Sequence, residues 1–502
     1  MKKIITFAIA VLFSTATNAQ EINAVVTRND NRQSCYQLSN NPNVTFGTGN
    51  TITVKEGEAT KEEYTLSESN TLTVLFGTAI NENTSISEGL EVSHPIFIMN
   101  NGKLTISGAM TNENAQNLVI EDGGQLRFDA GTPNAIVKKS IPGYNDGEGN
   151  WYLVASPVAG TDAPTGMIDE TAENYDLYIF NQSSEDGLEW NNYKVQPFEI
   201  GDQNGYLYAH KDGTTLYFNG QLNPTANAKN LEYDGTAEFA GFNLIGNPFT
   251  CDAYIDRDFY RMNTEGNDLV PSTGAIHALE GVFVKAQASA ENVTFSKTAP
   301  STSNGICALT LNQGNGVIDR AIVHFGKGKN LDKFMLNDSN TKLFIPQSQK
   351  DLASISTEAT IGEMPVNFKA SKDGSYTINV NTENVEAEYM HLIDNMTGMD
   401  IDLLATPSYN FEAKASDYAS RFKLVFGVKD ETSEASENFA FISNSEIIIS
   451  NEGRATLQVI DVLGRIISSE EINGECRIST NGMTAGLYIL SLNGMTQKIV
   501  VE

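Results

Sequence analysis

An all-β chain of several domains is predicted by three observations: apolar residues recur with period two, turn dipeptides interrupt them at short intervals, and amphipathic helices are scarce. In SYTINV, Tyr376, Ile378 and Val380 share a face, and in RFKLVFGV, Phe422, Leu424, Phe426 and Val428 do the same. Between such runs stand Asn101-Gly102, Asp122-Gly123, Asp212-Gly213, Asn219-Gly220, Asp373-Gly374 and Asn493-Gly494, dipeptides that tolerate positive φ. At 502 residues the chain can bury several separate cores.

The elements follow in chain order. Lys2 and Lys3, the apolar run 4–13 and the small residues Thr17-Asn18-Ala19 form a signal-peptide pattern, with cleavage expected ahead of Gln20. No cysteine follows at that point, which argues against a lipid anchor, and no later apolar stretch reaches the roughly 20 residues of a membrane-spanning helix. The mature chain is therefore expected to pass the periplasm and be secreted or held at the outer cell surface. Its 63 Asp and Glu against 33 Lys and Arg leave a formal net charge of −30, which repels phosphate backbones and anionic lipid and disfavours nucleic-acid binding.

Residues 20–140 carry a weak internal echo. GKLTISG from Gly102 and GQLRFDAG from Gly124 both place a glycine two positions before Leu, so that Leu104 and Ile106 correspond to Leu126 and Phe128. Ile52 with Val54, and Leu72 with Val74, are the earlier candidates for the same repeat. A short β-solenoid of stacked turns and an ordinary antiparallel sheet both fit this pattern. Residues 141–296 and 306–428 read as two β-sandwiches, divided by the small polar stretch 296–305. The segment YMHLIDNMTGMDIDLL of the second is a hairpin turning at Met396-Thr397-Gly398. The acidic stretch 429–438 lacks large apolar side chains and reads as a linker to a last unit, 438–502.

Chemistry-bearing patterns are sparse. HExxH, GxSxG and GxxxxGK[ST] do not occur, and His94, His210, His277, His324 and His391 stand singly, as structural histidines do. Cys35, Cys251, Cys307 and Cys476 lie too far apart for a zinc motif; they read as buried thiols or as one of three complete disulfide pairings. No resident cofactor is expected, with calcium in NDGEGN (145–150) or DQNG (202–205) the one alternative to solvated turns. Trp151, Trp190, Tyr206, Tyr208 and Tyr217 fit a sandwich core or a platform on which a sugar stacks. Two function classes remain: a non-enzymatic module binding glycan or a surface protein, or a carbohydrate-active enzyme or peptidase whose site is assembled across strands.

The last residues carry one sharp resemblance. LQVIDVLGRIISSE followed by GLYILSLNGMTQKIVVE resembles the C-terminal sorting domain of the type IX (Por) secretion system of Gram-negative bacteria. The signature of Asp, two residues, Gly and a basic residue falls on Asp461, Gly464 and Arg465; the later Gly-x-Tyr falls on Gly486 and Tyr488, and the near-terminal lysine on Lys498. FISNSEIIIS stands where that family commonly opens with Pro-Asn-Pro. The resemblance implies a small Ig-like sandwich, the type IX machinery as partner, and passage across the outer membrane. From the alternation itself, Leu487 and Ile489 against Tyr488 and Leu490 predict a central strand apolar on both faces. The preceding YMHLIDNMTGMDIDL, YNFEA and RFKLVFG resemble the β-sandwich that often precedes such domains in large surface proteins.

Overall fold

The computed structural model describes residues 73–144, 150–300, 305–428 and 439–501, apart from 170, 172, 185, 186, 444, 452, 462 and 463, together with the strands Ile22–Thr27, Gln33–Gln37, Pro42–Phe46, Thr51–Glu56 and Ala59–Thr65. The signal-peptide segment 1–19, the linker 429–438 and most of the loop 145–150 lie outside the described residues. The fold is all-β. Among the described residues the helical element is a single 3-10 turn, Ala115–Asn117. No helix there is long and apolar enough to cross a membrane.

The echo of residues 102–128 is a stack. Strand Lys103–Thr111 pairs in parallel with Gln125–Ala130, setting Leu104 beside Leu126 and Ile106 beside Phe128, and on its other side with Asn83–Ile86. A second parallel ladder runs through Thr73–Ile80, Ile96–Ile98, Leu118–Ile120 and Asn134–Ile141, so that Ile80, Ile98, Ile120 and Val137 form one row. Side chains of both ladders meet in one core, which makes this region a short β-solenoid. The glycines of the echo occupy equivalent corners: a Cβ on Gly102 would lie 1.9 Å from the Ile80 carbonyl oxygen, and one on Gly124 would lie 2.5 Å from that of Ile98. Only glycine lets each turn settle on the backbone of the turn before it.

The earlier repeat candidates do not belong to the stack. Ile52 and Val54 lie in an antiparallel meander of Pro42–Phe46, Thr51–Glu56 and Ala59–Thr65, and Val74 pairs antiparallel with Val26. Neither pair has a glycine two positions ahead to form the close corner. Leu72 lies outside the described residues. The turn that does stack on Leu104 and Ile106 supplies Thr84 and Ile86.

At its C-terminal end the second ladder is continued by another strand. Asn134–Ile141 pairs antiparallel with Thr214–Gln221, and the same core runs on into Tyr206, Tyr208, Leu216 and Phe218. Beyond it, two four-stranded sheets carry the middle of the chain. The next region is one eleven-stranded sheet whose distant strands share a core, Phe411 of Ser408–Ala413 at one end lying 4.9 Å between ring centroids from Phe422 of Phe422–Val428 near the other, as in a sheet folded over into a sandwich. Its hairpin pairs Ala387–Asp394 with Met399–Asp402, and Gly398, at φ 71°, closes the turn by donating its N–H to the Asp394 carbonyl over 2.8 Å.

Candidate functional site

The C-terminal residues form two small sheets face to face. Ala440–Ser443, Glu446–Ile449 and Cys476–Ser479 make one; Ile466–Asn473, Arg454–Asp461, Gly486–Leu492 and Met495–Val501 make the other. Alternate residues, among them Ile447, Ile449, Leu457, Val459, Tyr488, Leu490 and Leu492, fill the space between.

The signature residues divide by job. The Asp461 carboxylate accepts the Arg465 backbone N–H at 2.9 Å through one oxygen and the Arg465 Nε–H at 2.7 Å through the other, while Gly464 donates its N–H to the Asp461 carbonyl over 2.9 Å. Gly464 holds φ 79°, a left-handed conformation that most side chains resist. Tyr488 is buried, and its hydroxyl donates to the Thr484 carbonyl over 2.9 Å, tying the strand's entry to the core. Gly486 opens that strand at φ 157°. Lys498 stands exposed in the last strand, paired in register with Ile489.

Strand Gly486–Leu492 is central in hydrogen bonding, between Arg454–Asp461 and Met495–Val501, but only one of its faces is covered. Leu487 is 39% exposed and Ile489 half-buried, because this sheet has the small sandwich on one side and no element of the described chain on the other. Apolar alternation on both faces therefore marks a surface here, and not a second core.

The opposite sheet docks on the preceding sandwich. Phe441 lies 3.7 Å from Tyr389 between ring centroids, in an apolar seam with Ile393, Val425 and Ile448. Beside it, His391 stacks on Tyr389 at 3.8 Å, with its Nδ1 2.5 Å from Asp400 and its Nε2 3.7 Å from Glu475. Arg477 reaches Asp400 at 2.5 Å. Burial alone would raise the Asp400 carboxyl, but the hydrogen bond and charge of His391, with Arg477, bring it below the usual carboxylate range. Nothing local in GECRIST marks Arg477 for this contact; only the packing of two units makes it one.

The other sequence candidates serve structure. Tyr206 and Tyr208 are fully buried, Trp151 and Trp190 pack against a core, and Tyr217 stacks beneath Lys138, so the five rings make no platform. Four histidines sit against a carboxylate: His210 on Asp169, His277 on Asp252, His324 on Asp258 and His391 on Asp400. His324 is in register with Ser356, whose hydroxyl is buried and makes no hydrogen bond. Cys251, Cys307 and Cys476 are free thiols, which rules out any pairing of all four cysteines. In the loop 202–205 the Asn204 amide oxygen accepts from Lys229 at 2.6 Å. Among the described residues, no group of three or more His, Cys, Asp or Glu is gathered as a metal site.

One open cleft, of about 540 Å³, lies between the middle sheets and the large sandwich, with Tyr233, Glu238, Phe239, Lys285, Asp332 and Asp338 on its walls. Lys285 and Lys350 hold Asp332 at 2.5 and 3.2 Å, which satisfies its charge.

No curated protein matches the chain. Among solved structures it has a likeness to a chain described as "Biofilm associated protein - BSP domain", at 10% identity and a TM-score of 0.12. The match covers 73% of this chain and 63% of that one, less than two thirds of its length. Residues 443–502 match the family "Secretion system C-terminal sorting domain". The C-terminal region of this protein thus resembles a type IX sorting domain, and that likeness implies export to the cell surface or secretion.

Proposed function

We propose that the protein is a non-enzymatic secreted or surface-displayed protein with a binding, adhesive or structural role, carried through the periplasm and across the outer membrane by its C-terminal module, with glycan or another surface protein as its partner. Its body is the three units 20–140, 141–296 and 306–428, ahead of the sorting unit 438–502. Asp461, Gly464, Gly486 and Tyr488 build that unit, and Arg465 and Lys498 lie on its surface.

The observation that carries this reading is the locking of successive units by buried polar seams. Leu126 donates its N–H to the Thr250 carbonyl at 2.9 Å, and the Thr250 hydroxyl returns a bond to the Leu126 carbonyl at 2.7 Å. Lys297 caps the Phe128 carbonyl, and Arg127 reaches the Lys297 carbonyl at 2.7 Å. Farther on, the Tyr260 hydroxyl donates to the Asp332 carbonyl at 2.7 Å and accepts the Phe334 N–H at 2.9 Å, inside a cluster of Phe180, Phe242, Phe283 and Phe334. A seam of this kind transmits load between units and opposes the opening and closing by which many enzymes enclose a substrate.

The test is made on cells that possess type IX machinery. Cells displaying the full chain are expected to be retained on glycan- or protein-coated surfaces, and cells lacking the chain are not. The enzymatic alternative, a carbohydrate-active enzyme or peptidase, would use the cleft at Glu238 and Asp338. Hydrolysis of a polysaccharide or protein substrate that is abolished by Glu238→Gln would overturn the non-enzymatic reading.

A further inference from the structure

Exposed large apolar side chains are unevenly placed in this molecule. Ile466, Ile467, Leu487 and Val500, 56%, 53%, 39% and 60% exposed, all lie on the four-stranded sheet of the C-terminal module. The register joins most of them into one patch: Ile466 pairs with Ile460, Ile460 with Ile489, Ile489 with Lys498, and Leu487 with Val500. Paired residues of antiparallel strands point to the same side, so Ile466, Ile460, Ile489, Leu487 and Val500 form an outward stripe. Lys498 sits within it and Arg465, whose side chain is 71% exposed, at its end. A contiguous apolar face on so small a unit marks an interaction surface.

The module's other outer face is already occupied, since Phe441 and Ile448 pack beneath Tyr389, Ile393 and Val425 and Arg477 bridges to Asp400. Residues 429–438, KDETSEASEN, bring no large apolar side chain that could cover the stripe. Of the module's two outer sheet faces, the four-stranded one is therefore the face that the described residues leave uncovered when the module is docked. We propose that this outer face is the surface through which the export machinery reads the module, and that the receptor presents an apolar surface with an acidic rim. The proposal rests on the sorting reading above and adds which face is read.

The test compares three full-length variants in a strain with type IX machinery: Ile466→Thr/Leu487→Thr/Val500→Thr, a control Leu188→Thr/Val195→Thr at exposed apolar positions of the middle region, and deletion of 439–502. The stripe variant is expected to lower the exported fraction about tenfold or more, as removal of a central apolar contact does, with its unfolding midpoint unchanged and the control exported normally. Should the stripe variant lose stability, Lys498→Glu tests the same face at an exposed position and is expected to lower export as well. Normal export of a folded stripe variant beside a blocked deletion would overturn the choice of face while leaving the sorting reading in place. Normal export of the deletion would overturn the sorting reading itself. A dimer in sedimentation that the stripe variant converts to monomer, with export unaffected, would assign the face to a second copy of the chain and overturn the proposal.

Discussion

Arg477 of the C-terminal module and Asp400 of the preceding sandwich lie 2.5 Å apart, so the two units are bridged by side chains as well as by the chain between them. Arg477 also approaches Glu475 at 3.1 Å and Glu446 at 3.7 Å. Because the arginine is one-third exposed, water screens much of this attraction, and the burial of Phe441 against Tyr389 carries more of the docking.

Cleavage within 429–438 is therefore expected to leave the C-terminal fragment, about 7 kDa, attached to the rest of the protein. Size-exclusion chromatography after limited digestion checks this by co-elution. Phe441→Ala/Arg477→Ala is expected to release the fragment, Phe441 alone costing about 3–5 kcal/mol of packing if its site does not collapse.

Gly464→Val is expected to destabilise the module by about 1–3 kcal/mol, since φ 79° suits glycine and opposes a β-branched side chain. Open space surrounds the position, so the cost is backbone strain and not a clash. Hydrogen exchange of strands Arg454–Asp461 and Ile466–Asn473 measures it directly, and exported protein should fall in parallel. Unchanged protection in both strands would show that the turn accepts the substitution.

Asp394 and Arg421 form a buried pair. The Asp394 carboxylate accepts from Arg421 Nε at 3.1 Å and Nη2 at 2.8 Å, from the Met396 N–H at 3.0 Å and from the Tyr409 hydroxyl at 3.0 Å. Burial alone would raise this carboxyl, but the Arg421 hydrogen bonds and charge, with the Met396 and Tyr409 bonds, hold it below the usual range. A group whose pKa is lower folded than unfolded contributes stability above its unfolded value, about 3.9, and loses it as pH falls through the folded value. Asp394→Ala is expected to cost about 3–5 kcal/mol at pH 7 by stranding the Arg421 charge. The difference from wild type should shrink below about pH 4, which urea titrations at several pH values would follow.

Cys251 and Cys307 are expected to resist alkylation at pH 8 in the native protein and to react once it is unfolded. Burial pushes the Cys251 thiol up to about 11, against the opposing pull of Lys297 and Arg127, and the Cys307 thiol up to about 12, beside Met390. Mass spectrometry of iodoacetamide-treated protein reports both states; prompt native labelling of Cys307 would show that the large sandwich opens.

Much of the fold was written locally. The alternation of Phe422, Leu424 and Phe426 needs only a strand's period of two, and Gly398 marks its hairpin through φ alone. In the C-terminal module Asp461, Gly464 and Arg465 could be read together, since they meet within one turn. The spacing of Gly102 and Gly124 before Leu104 and Leu126 already carried the solenoid's register. Whether those strands ran parallel was decided by contacts between turns, including the Ile80 and Ile98 carbonyls on which the two glycines rest. Leu487 and Tyr488 are adjacent and equally apolar in pattern, yet one faces solvent and the other the core. Burial depends on whether a second layer arrives, and that layer is the separate sheet of Ala440–Ser443, Glu446–Ile449 and Cys476–Ser479, which covers only one face. The seam of Arg477 with Asp400 has the same cause: each residue is an ordinary surface charge in its own strand, and only the docking of two independently formed sheets brings them together.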